Sequence, residues 1–293
     1  MAVSIVKSVC KAMEAIAPLR LAEKWDNVGL LLEAPVPRPS ANRVLLTIDV
    51  TAAVTEEALS SPTSVIVSYH PVIFHPLKSF TLSNPLQSNL LRLASSGISV
   101  YSPHTSLDSV WGGINDWLGS GIVEPPETKG QLKEWKVRLI GEEAEGGIGG
   151  TGRVFTLAEP VSMKEMERRI KLHLGLQHIQ VGYPQGKSPE EPSIKSVAIC
   201  AGSGESLLDG VDADLYFTGE MPHHSVLAAV ANGRFVALCG HTNTERGYLP
   251  VLAENLKAQF QTDAQAANPD VASVLRSLEV HVSKTDKHPL EIV

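Results

Sequence analysis

From Ser4 to Ile16 the apolar residues Ile5, Val6, Val9, Met13 and Ile16 recur mostly at three- and four-residue steps, which places them on one face of a helix that Pro18 ends. After WDNVGLLL (25–32) and a Pro-rich turn comes RVLLTIDV (43–50). Its unbroken aliphatic and β-branched content predicts a strand buried on both faces. TAAVTEEAL (51–59) predicts a helix opened by a Thr cap. SVIVSYHP (64–71) predicts a second buried strand, NPLQSNLLRLASSG (84–97) a helix, and ISVYSPH (98–104) a third strand. Strands alternating with helices point to βαβ units, hence to an α/β protein with a mainly parallel or mixed sheet covered by helices.

The stretch from Gly119 to Gly152 breaks this rhythm. It is rich in Gly, Glu and Pro, shows little periodicity beyond KVRLI, and reads as a connection between two halves. MKEMERRIKLHLG (163–175) then predicts an amphipathic helix, and the βαβ pattern returns over residues 195–260. Gln261 to Asn268 reads as a polar loop before a last helix and the strand SLEVHVS (277–283).

The second half echoes the first. RVLLTIDV matches SVAICAGS, SVIVSYHP matches DLYFTGEMP, and ISVYSPHTSLD (98–108) matches FVALCGHTNTE (235–245). Both of the last pair end a strand with His-Thr-x-x-acid, His104 to Asp108 and His241 to Glu245. The expected organisation is a duplicated α/β chain with halves 1–130 and 131–293, residues 248–293 packing back on the first half, and a metal site in the cleft between the halves.

Composition narrows the function classes. The 293 residues allow about two domains at roughly 150 residues each. With 25 Lys and Arg against 32 Asp and Glu, the net charge is −7, which does not point to a nucleic-acid surface. Cys10, Cys200 and Cys239 form neither an even set nor a CxxC pair, so a reducing, cytoplasmic setting is expected, with mitochondrial and nuclear pools left open. No apolar run approaches the ~18 residues of a membrane span.

Polar residues collect at the carboxyl ends of the predicted strands, where open parallel sheets bind ligands. They are Asp49, Tyr69, His70, His104, Asp108, Glu220, His223, His224, His241 and Glu245. Imidazoles and carboxylates without a nearby cysteine suit zinc, manganese or iron, and a carboxylate can bridge two ions. His75, His173, His178 and His288 read as ordinary surface or hydrogen-bonded histidines. AGSGESL (201–207) could bind an anion at a helix N-terminus or simply be a tight turn, and Arg153 in GGIGGTGR could contact a phosphate. Asp26 and Asn27 form a turn that could approach a site.

WDNVGLLL, SYHPVIF, SPHTSLD, AGSGESL, TGEMPHHSVL and GHTNTERG occur in the order seen in the Nif-three-like family, also labelled GTP cyclohydrolase I type 2-like, which the chain resembles from about Trp25 to Gly247. The resemblance implies a homo-oligomer, commonly a hexamer, with a dinuclear site. One ion would use His70, Asp108 and Glu245, and the other His241 with Glu245 bridging. Where many bacterial relatives have a first histidine of His-His-Pro, this chain has Tyr69, as in eukaryotic members. A phenol is a poor ligand near neutral pH, so the second ion is expected to bind weakly, to recruit His104, or to be absent. Two functions stay open. One is a metal-dependent hydrolase of a nucleotide or phosphate ester, with His104 or His224 as general acid or base. The other is a non-catalytic factor that handles metal or binds a protein partner.

Overall fold

A computed structural model describes residues 5–123 and 135–292, so the EPPETKG part of the connecting stretch (124–130) lies outside the described residues. The chain divides into two compact units, Met1–Leu107 with Tyr248–Val293, and Asp108–Gly247.

The first unit opens with α1 (Ile5–Ile16), followed by β1 (Gly29–Leu32), β2 (Arg43–Thr47), α2 (Ala52–Leu59), β3 (Thr63–Ser68), α3 (Pro85–Ser95) and β4 (Ser99–Ser102). Chain from the C-terminal segment completes it as α9 (Leu249–Ala266), α10 (Pro269–Ser277) and β11 (Glu279–Val282). Strand order is β1-β4-β3-β2-β11, with β1 antiparallel and the rest parallel. Every residue of β3 is buried, as are Val44, Leu45 and Leu46 of β2. Their lack of alternation is therefore the mark of a sheet covered on both faces. On one face Leu45, Ile66 and Val100 pack with Val54 and Ala58 of α2 and Leu90 and Leu93 of α3. Each fully buried side chain of this kind contributes about 1.5–3 kcal/mol relative to exposure. Thr51 Oγ1 accepts from Val54 N–H, the Thr cap expected for α2.

The second unit follows from α4 (Thr105–Ser109), which spans the boundary between the units. It comprises α5 (Ile114–Val123), β5 (Lys136–Leu139), β6 (Arg153–Val161), α6 (Met163–Leu174), β7 (Gln180–Gly182), β8 (Ile194–Ser203), α7 (Glu205–Leu208), β9 (Leu215–Glu220), α8 (His223–Ala231) and β10 (Phe235–Leu238). Strand order is β5-β6-β8-β9-β10-β7.

The two units share one plan. A 12-residue helix, α1 or α6, leads to an edge strand, β1 or β7. Three parallel strands joined by helices follow, β2 to β4 or β8 to β10, and the third pairs antiparallel with that edge strand. His104 and His241 therefore stand just beyond the third strand of each set. The H-T-x-x-acid echo is a repeat of architecture as well as of letters.

Two segments differ from the sequence expectation. The polar stretch 261–268 is helical as far as Ala266, because Phe260 and Ala264 continue the buried stripe of Leu249, Leu252, Ala253 and Leu256. The Gly-rich stretch 119–152 begins inside α5, whose Gly119 and Gly121 hide its helical character. Those glycines are packing requirements. A Cβ at Gly119 would collide with the Phe155 ring, and one at Gly121 with His173. Gly121→Ala, which helix propensity alone would favour, should instead lower stability by about 1–3 kcal/mol. A urea midpoint at or above that of the wild type would contradict this.

Candidate metal centre

In the first unit, β2 and β3 end side by side and deliver Asp49 and His70 to the same rim. His70 Nδ1 lies 2.9 Å from Asp49 Oδ1, and the Tyr69 and His70 amides bond the carbonyls of Thr47 and Ile48. The carboxylate fixes the tautomer with the proton on Nδ1, which makes Nε2 the ligating nitrogen. The segment after β11 buttresses this rim, since the Asp286 carboxylate accepts from Ile48 N–H at 3.0 Å.

His104 follows β4 with φ +35°, in the left-handed region that a residue other than glycine rarely adopts. Asp26 holds it there. Its carboxylate meets His104 Nδ1 at 2.8 Å and accepts from Thr105 N–H and Oγ1. Burial pushes the Asp26 carboxyl up, but the bonds from His104 and Thr105 outweigh this and hold it below its ordinary value. The His70 and His104 rings lie 5.5 Å apart, and the buried Tyr69 ring is 5.1 Å from the first and 5.5 Å from the second.

The second unit carries a histidine at the matching position, with its acid drawn from a different element of the fold. His241 follows β10 after Gly240, whose φ of +86° turns the chain over the sheet edge. Its Nδ1 meets Glu220 Oε1, from the end of β9, at 2.9 Å, and its Nε2 lies 3.2 Å from Glu245 Oε1. Glu245 is buried to 1% exposure, and two donors side by side at that distance are placed to share one ion. The glycine turn after β8 closes against them. A Cβ at Gly202 would stand 2.7 Å from Glu245 Oε1 and 2.9 Å from His241 Nε2, so this position has room only for glycine. The loop is tied down by Gly202 N–H to Thr244 Oγ1 and by Thr218 Oγ1 to the Gly202 carbonyl. AGSGESL thus serves the His241–Glu245 pair, and the helix after it has only four residues.

Asp108 is placed from behind. Buried Asn115 donates to the Asp108 carbonyl at 3.0 Å and accepts from Ala201 N–H at 2.9 Å, which links the Asp108 segment to the glycine turn. Arg153 does not reach a phosphate. Fully buried, it pairs with Asp116 and donates to the carbonyls of Ser109, Val110, Gly150 and Gly152. A cysteine does stand near the acids, against expectation. Burial, then the charges of Asp108 and Glu245, push the Cys200 thiol far up, so it remains a protonated donor to the Ala201 carbonyl. Cys200 lies in β8 two residues before Gly202, whose backbone packs against Glu245. His224, at the second position of α8, is exposed and packs on His223 with ring centroids 5.4 Å apart.

In the second unit His241 Nε2 and Glu245 Oε1 offer an imidazole and a carboxylate that could hold a metal ion, and in the first unit His70 offers an imidazole oriented in the same way by Asp49. With the folds of the units, these residues define a mixed α/β protein whose histidines and acids stand at the carboxyl ends of parallel strands. The chain belongs to the Duf34/NIF3 (NGG1p interacting factor 3) family, whose model matches residues 4–272. It is 46% identical over 273 residues to "Protein NIF3 homolog" of Schizosaccharomyces pombe, a match covering 92% of this chain and 96% of that protein. It is 35% identical to "NGG1-interacting factor 3" of Saccharomyces cerevisiae, over 98% of this chain and 96% of the relative. Its fold resembles the Bacillus cereus protein related to NIF3, with a TM-score of 0.76 at 19% identity, covering 98% of this chain and 99% of that one. No described helix is long and apolar enough to cross a membrane.

Gly202→Ala should fold but bind metal at least about tenfold more weakly, because its methyl group displaces the two donors. Unchanged affinity in a chelator competition would contradict the crowding. Because the Asp26 carboxyl is depressed, its stabilisation is present above the ordinary carboxylate pKa of ~3.9 and is lost as pH falls through its folded value. Asp26→Asn should therefore be less stable than wild type at pH 7, and the gap should shrink in acid. A gap independent of pH would refute that assignment.

Proposed function

We propose that this protein is a metal-dependent hydrolase acting on a nucleotide or other phosphate ester, with one or two divalent ions held by His70, Asp108, His241 and Glu245. Zinc, manganese or iron would suit two imidazoles with carboxylates, and on the family resemblance Glu245 would serve both positions if two ions bound. The observation that supports this reading best is the pairing of His70 with Asp49 and of His241 with Glu220. Each imidazole has its Nδ1 committed to a carboxylate, the arrangement typical of metal-bound histidines. Gly202 supports it further by leaving space beside His241 and Glu245.

A divalent ion supplies Lewis acidity and a nucleophile at neutral pH. The chain supplies the rest. Asp49 and Glu220 hold the ligand imidazoles in orientation. Asn115 and Arg153 hold the Asp108 segment. His104, oriented by Asp26, is the proposed general acid or base, with His224 as the second candidate on its more exposed helix. The proposed assembly is a homo-oligomer, a hexamer on the family resemblance, in the cytoplasm.

The second reading is a metal-handling or protein-interaction factor without turnover. The buried Tyr69 favours it, because it stands where many relatives have another histidine, and so does the name NGG1-interacting factor borne by a relative. A screen of metal-loaded protein against nucleotides, including GTP, and phosphate mono- and diesters separates the two. The hydrolase reading predicts turnover that falls by at least about a thousandfold, the scale of losing a metal-stabilised transition state, in both His70→Ala and Glu245→Ala. Turnover that survives in the double variant refutes it, and no turnover across the screen favours the second reading.

A further inference from the structure

The strand-end histidines of the first unit have exposed aromatic neighbours. Trp25 and Phe74 are 62% and 53% exposed, and their rings meet edge to face at 6.0 Å. Isolated surface aromatics need no explanation, but this pair has His104 within ring contact of both members, at 6.0 Å from Trp25 and 6.3 Å from Phe74. The backbone on either side is pinned. Asp26, next to Trp25, is bonded to His104 and Thr105, and Asn27 Nδ2 donates to the carbonyl of Ile73, next to Phe74, at 2.6 Å. Asn27 N–H closes the turn on Asp26 Oδ1 at 2.8 Å. Two loops distant in sequence are thus fastened together so that their aromatic rings stay at the surface beside an oriented imidazole.

We propose that Trp25 and Phe74 form a recognition subsite for the planar heteroaromatic ring of the substrate, of which a nucleobase is the representative class. The inference deepens the hydrolase reading and rests on it for the word substrate. At 62% exposure Trp25 offers indole surface for offset stacking, and rings whose backbone is fixed in advance lose less freedom when a ligand lands. Stacking tolerates many bases because each has a π-face. A ring stacked on Trp25 would place the attached ribose and phosphate beside His104, and His70 is 5.5 Å further on. Asp26 would then serve two purposes, orienting His104 and holding the indole next to it.

The test measures binding of adenosine 5′-monophosphate and of ribose 5-phosphate, which lacks the base, to the full chain as purified, by calorimetry and ligand-detected NMR. Wild type should bind the nucleotide at least about tenfold more tightly than the sugar phosphate. Trp25→Leu and Phe74→Leu should each erase that difference, while Trp25→Phe keeps most of it. Both positions are exposed, so the variants should melt like wild type. Equal affinity for the two probes, no nucleotide binding at millimolar concentration, or Leu variants that bind as wild type would each overturn the subsite. Leu variants that keep nucleotide affinity but change the mass found by light scattering would assign these rings to contact between copies instead. Ring-dependent binding without any phosphate-ester turnover would leave the subsite standing and remove the hydrolase. Turnover of phosphate esters indifferent to the ring would do the reverse.

Discussion

The hydrogen bond that Nδ1–H of a histidine just beyond a parallel strand donates to a carboxylate is the interaction on which the candidate site depends. It occurs as Asp49 with His70, Asp26 with His104, and Glu220 with His241. In each case the acid comes from another strand end or loop, so the ring is fixed only when the sheet has assembled. An exposed imidazole alone samples several rotamers and two tautomers. One tied at Nδ1 presents a single nitrogen in one direction, which is the preorganisation that metal binding or proton transfer requires. The sheet core and the chemistry are thus linked through three short contacts.

The repeated plan explains why a histidine recurs after the third strand, while its acid partner differs, since Asp26 precedes β1 whereas Glu220 ends β9. Each unit runs helix, edge strand, then three parallel strands, and each places a His-Thr dipeptide after the third. The copies have since diverged in how the turn is made. His241 follows Gly240 in a positive-φ conformation, whereas His104 itself takes the positive φ and is held by Asp26 and Thr105. They have diverged in surroundings as well, since the first unit borders its histidines with Tyr69, Trp25 and Phe74, while the second uses glycine backbone and a buried Glu245. One half is shaped for aromatic contact and the other for close approach of charged donors.

Much of this could be read from the sequence. Continuous β-branched runs identified the central strands because both sheet faces are covered, and the repeated H-T-x-x-acid placed His104, Asp108, His241 and Glu245 at strand ends. What escaped depends on three-dimensional neighbours. Gly119 and Gly121 argue locally against the helix they belong to, and only Phe155 and His173 explain them. Arg153, in a glycine-rich run that could equally be a turn or contact a phosphate, spends its donors on Asp116 and four backbone carbonyls. Asn115 carries no motif, and its role exists only because α5 packs on β8 and so lies beside Ala201. The clue available for Gly202 was its position in a strand-to-helix turn, which fits a ligand loop as well as it fits a cushion for two side chains.

The most direct test of the central claim, that His70, His241 and Glu245 are metal ligands, is the metal content per chain by mass spectrometry. The protein should be purified without chelator or added histidines, and compared with Glu220→Ala and Glu245→Ala. The account predicts roughly one or two equivalents in the wild type, a clear loss when Glu220 no longer orients His241, and near-complete loss without Glu245. Wild-type protein that stays metal-free after incubation with zinc, manganese or iron, or a Glu245→Ala variant that retains the wild-type content, would contradict it.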